Sequence, residues 1–212
     1  MDIVFLFYDG MTTLDAIGPW EVLSRLPGAR AFPVARDGGA VTTDTGLKFD
    51  GLRAMADVAR ADVLVVPGAG DVRPQVADPR TLDWLRAIDA TTRWTTSVCT
   101  GAVILAAAGL LKDRRATTHW AAMNALRRLG AMPVEQRVVE HGKYVTAAGV
   151  SAGIDMALAL AARLVDEPTA RALQLAIEYA PDPPFDAGTP ASAGPETMAR
   201  ALALLAANAP KP

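Results

Sequence analysis

Arg93-Trp94-Thr95-Thr96-Ser97-Val98-Cys99-Thr100-Gly101-Ala102-Val103-Ile104-Leu105 joins two kinds of pattern within a few residues. Up to Val98 it is a β-rich run suited to a buried strand, and from Gly101 to Ala108 it reads as a helix. Working outward, Ile3 to Tyr8 and Asp62 to Val66 are continuous apolar runs, the pattern of strands buried on both faces. Ala116 to Thr118 is a candidate fourth strand. Between the strands, helical patterns cover Pro19 to Leu26, Arg80 to Ala90 and Trp120 to Leu129, the last closed by Gly130 as a C-cap. Val134 to Val139 and Tyr144 to Ala148, joined by Glu140-His141-Gly142-Lys143, read as a hairpin. Ile154 to Val165 is an Ala-rich helix that should be largely buried. Strands alternating with helices imply βαβ units, right-handed crossovers and a mostly parallel sheet with helices on both faces.

The chain of 212 residues carries 21 Lys plus Arg against 23 Asp plus Glu, a net charge of −2. That length fits one domain with a sizeable core. The near-neutral balance, without a basic block, argues against a nucleic-acid or anionic-membrane surface. The single cysteine, Cys99, allows no internal disulfide and, with two histidines, builds no thiolate-rich zinc site. The first residues lack the pattern of a signal peptide, and the uncharged stretch Val98 to Leu111 is too short to span a bilayer. A soluble, cytoplasmic protein is expected. Five of 15 prolines fall in 181–195. This segment and a terminal helix over 196–208 are expected to pack back on the body, making 1–212 a single domain.

Within Ser97-Val98-Cys99-Thr100-Gly101, small residues stand two positions either side of the thiol, as a nucleophile elbow requires. The N–H groups of the following helix should favour thiolate and hold a developing anion. A buried structural cysteine is the alternative. Pro67-Gly68-Ala69-Gly70 follows another central strand at the same sheet edge, where Gly68 and Ala69 offer backbone N–H groups to a ligand, or form a plain turn. Asp15 sits before Pro19, which is placed as a first helical residue. On that loop, a partly desolvated carboxyl near the sulfur can serve as general acid and base. By itself, Asp15 also reads as a cap. His119 suits the wall of the site better than a Cys–His pair, and His141 falls in the hairpin turn.

Leu14-Asp15-x-x-Gly18-Pro19, Pro67-Gly68, Ser97-Val98-Cys99-Thr100-Gly101, Arg115-Ala116-Thr117-Thr118-His119-Trp120, Gly153-Ile154-Asp155 and Glu178-Tyr179-Ala180-Pro181-x-Pro183-Pro184-Phe185 together resemble the ThiJ/PfpI superfamily. The likeness spans nearly the whole chain and reaches the isocyanide hydratase branch. It implies a flavodoxin-like α/β sandwich and a homodimer. The implied reaction is hydration of an isocyanide to an N-formamide through a covalent thioimidate, without metal or organic cofactor. Cys99 is then the nucleophile, Asp15 the acid and base, and Thr100 a supporting group. Gly68, Ala69 and Gly101 supply backbone to the site, and His119 stands behind it. Thr100 replaces the histidine that peptidase-like members carry after the cysteine, and no downstream His-x-Glu of the amidotransferase kind occurs. The ligand-sensing halves of AraC-type regulators share these motifs, so a sensor domain is one alternative and a cysteine redox sensor another. Regulators carry a helix-turn-helix beyond the sensor, whereas this sequence stops at Pro212.

Overall fold

The computed structural model describes residues 1–207. In chain order the elements are β1 (Asp2–Leu6), α1 (Thr13–Leu23), β2 (Arg30–Ala35), β3 (Asp37–Thr42), β4 (Lys48–Ala54) and β5 (Val63–Val66). There follow α2 (Arg73–Val76), α3 (Pro79–Asp89), β6 (Trp94–Val98), α4 (Gly101–Ala107), β7 (Arg115–Ala116), α5 (Met123–Arg128) and β8 (Met132–Pro133). The chain continues through β9 (Val138–His141), β10 (Tyr144–Ala147), α6 (Ala152–Leu164), α7 (Glu167–Ala176) and α8 (Pro190–Ala207).

Eight strands form one sheet in the order β3-β4-β2-β1-β5-β6-β10-β9. Its six inner strands are parallel, and the edges β3 and β9 run antiparallel to their neighbours. Helices α1, α6 and α7 pack on one another, as do α2, α3, α4 and α5, so both faces are covered. The apolar runs account for the centre. Ile3, Val4, Phe5 and Leu6 of β1 and all of β5 have no exposed surface, as strands sandwiched between two helical layers require. The chain leaves β1 toward β2 on one side, while β5 lies on the other. This is the topological switch point at which open α/β sheets bind ligands, off the carboxyl ends of their strands.

Several local expectations are corrected. Helix α1 starts at Thr13, six positions before Pro19, which therefore lies inside it. Gly18 and Pro19 serve packing instead of initiation. A Cβ on Gly18 would stand 3.1 Å from Ile154 Cγ1, and one on Gly153 would stand 3.1 Å from Pro19 Cγ, so α1 and α6 approach at these two positions. Residues 116–118 add no strand to the main sheet, because Arg115–Ala116 pairs with Met132–Pro133 in a separate ribbon. In the hairpin, β9 begins only at Val138 and Tyr144 pairs with His141. Helix α6 buries one face, through Ala152, Gly153, Met156, Ala157, Leu160 and Ala161, and not its whole surface.

The C-terminal segment departs most. No residue of 181–207 is buried, and only Ala193, Gly194, Met198 and Ala201 are half-buried, so this segment adds no core to the body that 181–195 and the terminal helix were expected to pack against. Helical structure begins at Pro190, breaks at Gly194 (φ 74°, ψ 167°) and resumes at Pro195. Residue 208 lies outside the described residues. Leu202, Leu204 and Leu205 remain 47%, 65% and 46% exposed, which leaves this helix a largely exposed apolar face.

Candidate active site

Three connections converge at the carboxyl edge of the sheet: β1 to α1, β5 to α2, and β6 to α4. Between β6 and α4, Cys99 adopts φ 57°, a left-handed conformation rare outside glycine. The backbone holds it there. Cys99 N–H donates to both the Ala147 and Ala148 carbonyls (3.1 and 2.8 Å), and the Thr118 hydroxyl donates to the Cys99 carbonyl at 2.8 Å. The sharp turn also needs Gly101, since a Cβ there would lie 2.1 Å from the Val66 carbonyl oxygen. Gly68 faces the same demand from the other side. Its Cβ would meet Thr100 N and Thr100 Oγ1 at 2.5 Å and Asp15 Oδ2 at 2.9 Å. The β5 loop and the cysteine turn thus interlock through two positions that admit no side chain.

Asp15 belongs to the first turn of α1, not to a preceding loop, and is fully buried. Its Oδ2 accepts the Gly68 N–H at 2.9 Å, while the buried Oδ1 has no hydrogen-bond partner. The Cys99 thiol stands against this carboxyl. Burial raises the Asp15 pKa to about 7, against the Gly68 N–H and the thiol, which favour the carboxylate. Cys99, 5% exposed, corrects a further expectation. Burial pushes its thiol up, and the Asp15 charge adds to this; the Val150 and Thr100 N–H groups act the other way without offsetting it. The resting sulfur keeps its proton.

The supporting residues gather at the site in roles other than those expected. Thr100 Oγ1 accepts the Ala69 N–H at 2.8 Å and donates to the Ala69 carbonyl at 2.7 Å, so this hydroxyl is committed to the neighbouring loop. The Gly68 and Ala69 N–H groups, expected to face a ligand, are engaged by Asp15 and Thr100 respectively. Gly101 contributes by close backbone approach. His119 accepts the Ala121 N–H at Nδ1 (3.3 Å), and burial lowers its pKa. Its ring lies against Gly149, where a Cβ would stand 2.9 Å from His119 Cδ2. It therefore walls the segment that delivers the Val150 N–H to the sulfur. His141 accepts the Arg115 N–H at 3.0 Å.

Two participants escaped the sequence reading. Val150 acts through its backbone, which carries no side-chain signal. Tyr8 closes an apolar run that reads only as strand, yet its hydroxyl donates to the Pro67 carbonyl at 2.9 Å. Among the described residues, no group of three or more His, Cys, Asp or Glu is arranged to hold a metal ion, and no helix is long and apolar enough to cross a membrane.

Comparison with known proteins fits this geometry. The DJ-1/PfpI family profile matches residues 1–163. An isonitrile hydratase of Pseudomonas putida is 46% identical over 193 residues, covering 91% of this chain and 85% of that protein. The HTH-type transcriptional regulator CdhR of Pseudomonas aeruginosa is 32% identical over 169 residues, which span 76% of this chain but 50% of the regulator. Among solved structures, a THiJ/PfpI family protein from Pseudomonas syringae superposes with a TM-score of 0.93 at 38% identity, covering 97% of this chain and 86% of that one.

Proposed function

The chain belongs to the DJ-1/PfpI family, and from that premise we propose that it hydrates an isocyanide to an N-formamide, with Cys99 as nucleophile and Asp15 as proton shuttle. The observation that carries the reading is the Asp15 carboxyl. One oxygen is fixed by Gly68, the other is unpartnered, and the thiol stands beside it. A carboxyl in that position can take the thiol proton and hand it on.

In the reactive state Cys99 is a thiol and Asp15 a carboxylate. Asp15 removes the S–H proton as sulfur attacks the terminal carbon of the isocyanide, then gives that proton to the same carbon. The product of this step is a thioimidate, R–N=CH–S–Cys99. Asp15, again a carboxylate, takes a proton from water as its oxygen adds to the thioimidate carbon, and passes that proton to the nitrogen. Collapse of the tetrahedral adduct breaks the C–S bond, moves the hydroxyl proton through Asp15 to the departing sulfur, and releases the N-formamide with the thiol restored. The Val150 and Thr100 N–H groups stabilise the sulfur while it is anionic. The chemistry draws on no metal or organic cofactor. Below about pH 7 the carboxyl is already protonated and cannot accept from the thiol, so kcat/KM should fall as pH drops through that value.

The test is Cys99→Ala combined with intact-mass measurement. Turnover should vanish in the variant, and the wild type quenched during turnover should carry one added isocyanide mass on Cys99. Full activity without Cys99 would end the covalent reading. A ligand-sensing role is the second reading, favoured by the identity with the regulator, and it predicts stoichiometric binding of a ligand without formamide release. We also assign this protein to the cytoplasm, with a second copy of the chain as its partner. An apolar groove of about 430 Å³ between α1, α6 and α7, lined by Leu14, Ile17, Ile154 and Ile177, supports that pairing, as do the exposed leucines of α8.

A further inference from the structure

The carboxyl edge of the sheet holds a buried polar group that the proposed reaction does not use. Tyr8 follows β1, is 7% exposed, and donates its hydroxyl proton to the Pro67 carbonyl at 2.9 Å, across 59 positions of chain. Pro67 C=O and Gly68 N–H are the two ends of one peptide group. Its N–H end is the donor that holds Asp15 Oδ2 at 2.9 Å. A continuous path therefore runs from the Tyr8 O–H, through the 67–68 peptide group, to the Asp15 carboxyl.

We propose that Tyr8 is a positioning residue for Asp15, acting through the Pro67–Gly68 peptide group. This rests on the reading of Asp15 as the proton shuttle. The amide is planar and delocalised, so a donor on its oxygen draws electron density toward that end and makes the N–H a stronger donor at the other. The bond also fixes which way the peptide faces. Rotation of this group by half a turn would aim the carbonyl at the carboxylate and break both bonds. Close backbone approach does part of this work, since Gly101 leaves the space beside the Pro67 oxygen that a Cβ would fill at 2.9 Å. The tyrosine supplies the directional part. Its proton stays in place across the working pH range, because burial, with Asp15 and Cys99 nearby, holds its pKa well above the ordinary value.

A tyrosine that merely satisfied a buried carbonyl would affect stability and leave the carboxyl alone, and this difference gives the experiment. The carboxyl stretch of Asp15 is titrated by difference infrared spectroscopy, assigned by its disappearance in Asp15→Asn, with no isocyanide present. Tyr8→Phe should shift the Asp15 midpoint to higher pH by ~0.3–1 unit, as the carboxylate loses part of its Gly68 bond. The acid limb of kcat/KM should move with it. Site-specific 3-fluorotyrosine at position 8, a stronger donor, should shift the midpoint the opposite way. Unchanged midpoints, or shifts of the same sign in both proteins, would overturn the proposal. If Tyr8→Phe does not fold, the fluorinated protein alone decides, and an unmoved midpoint counts against it. Failure of the hydratase reading would look different: the wild type would not hydrate an isocyanide, or Asp15→Asn would keep full turnover, while the infrared shifts in the Tyr8 variants persisted.

Discussion

Asp15→Asn keeps the shape of the buried side chain, leaves an oxygen for the Gly68 N–H, and removes the ionisable proton. Its effect on stability follows from where that proton is released. In the fold the carboxyl titrates near 7, whereas the unfolded chain should show the ordinary 3.8. Ionising the buried group therefore costs the native state about 4 kcal/mol. The folded-state pKa is raised, so the contribution of the wild-type acid is intact below 3.8. It is lost progressively as pH rises to about 7, then levels off. The variant has no such dependence. Urea unfolding of both proteins across this range should show the variant gaining on the wild type by ~1.4 kcal/mol per pH unit inside the window, and by nothing further above it. Turnover should drop by ~10²–10⁴, the usual worth of a general acid–base group, and the acid limb near pH 7 should disappear with it. Parallel stability curves would show that the carboxyl ionises normally, and the burial argument would then fail. Near-wild-type turnover would remove Asp15 from the chemistry.

Thr100→Val deletes a hydroxyl that both accepts from and donates to Ala69, leaving two backbone groups unpaired, so a destabilisation of ~1–3 kcal/mol is expected. The loop carrying Gly68 should loosen and kcat fall; an unchanged kcat with lowered stability would confine Thr100 to scaffolding. Gly101→Ala places a methyl group 2.1 Å from the Val66 carbonyl oxygen, a backbone atom that cannot swing aside. A loss of ~1–3 kcal/mol or more is expected in the denaturation midpoint, and a wild-type midpoint would refute the interlock of the two loops. Light scattering at micromolar concentration should give twice the chain mass, and truncation before Pro190 should weaken that association; a monomer mass would refute the pairing.

The core strands were legible because burial on both faces leaves an unambiguous run: Ile3 to Leu6, Val63 to Val66 and Trp94 to Val98 all fall where expected. The edge beyond β1 was not. Strand β2 pairs Pro33 with Phe5 inside a parallel sheet, where proline normally argues against a strand, and β3 and β4 carry glycines and exposed polar residues. The start of α1 was misplaced because Gly18-Pro19 matches a helix-initiation pattern, whereas its purpose is close packing on α6. At the site, residue types singled out Asp15, Cys99, Thr100 and the glycines, and the fold brings these residues together. Their partners depend on which loop end meets which, and local sequence does not encode that. The Thr100 hydroxyl reads as a free donor until Ala69, 31 positions away, occupies it.

The buried, protonated sulfur of Cys99 has a consequence for selectivity. An exposed thiolate is available to any soft electrophile and to peroxide. Under the proposed mechanism, thiolate exists only while Asp15 holds the proton, and Asp15 returns that proton unless the substrate accepts it. In the proposed reaction the terminal carbon of an isocyanide takes sulfur and hydrogen at one atom, so attack and proton delivery are completed together. An alkylating agent leaves the proton on the carboxyl and peroxide takes it on its departing oxygen, so neither receives hydrogen at the atom that sulfur attacks. Burial that keeps the sulfur protonated thus depresses general thiol reactivity and shelters the cysteine between turnovers.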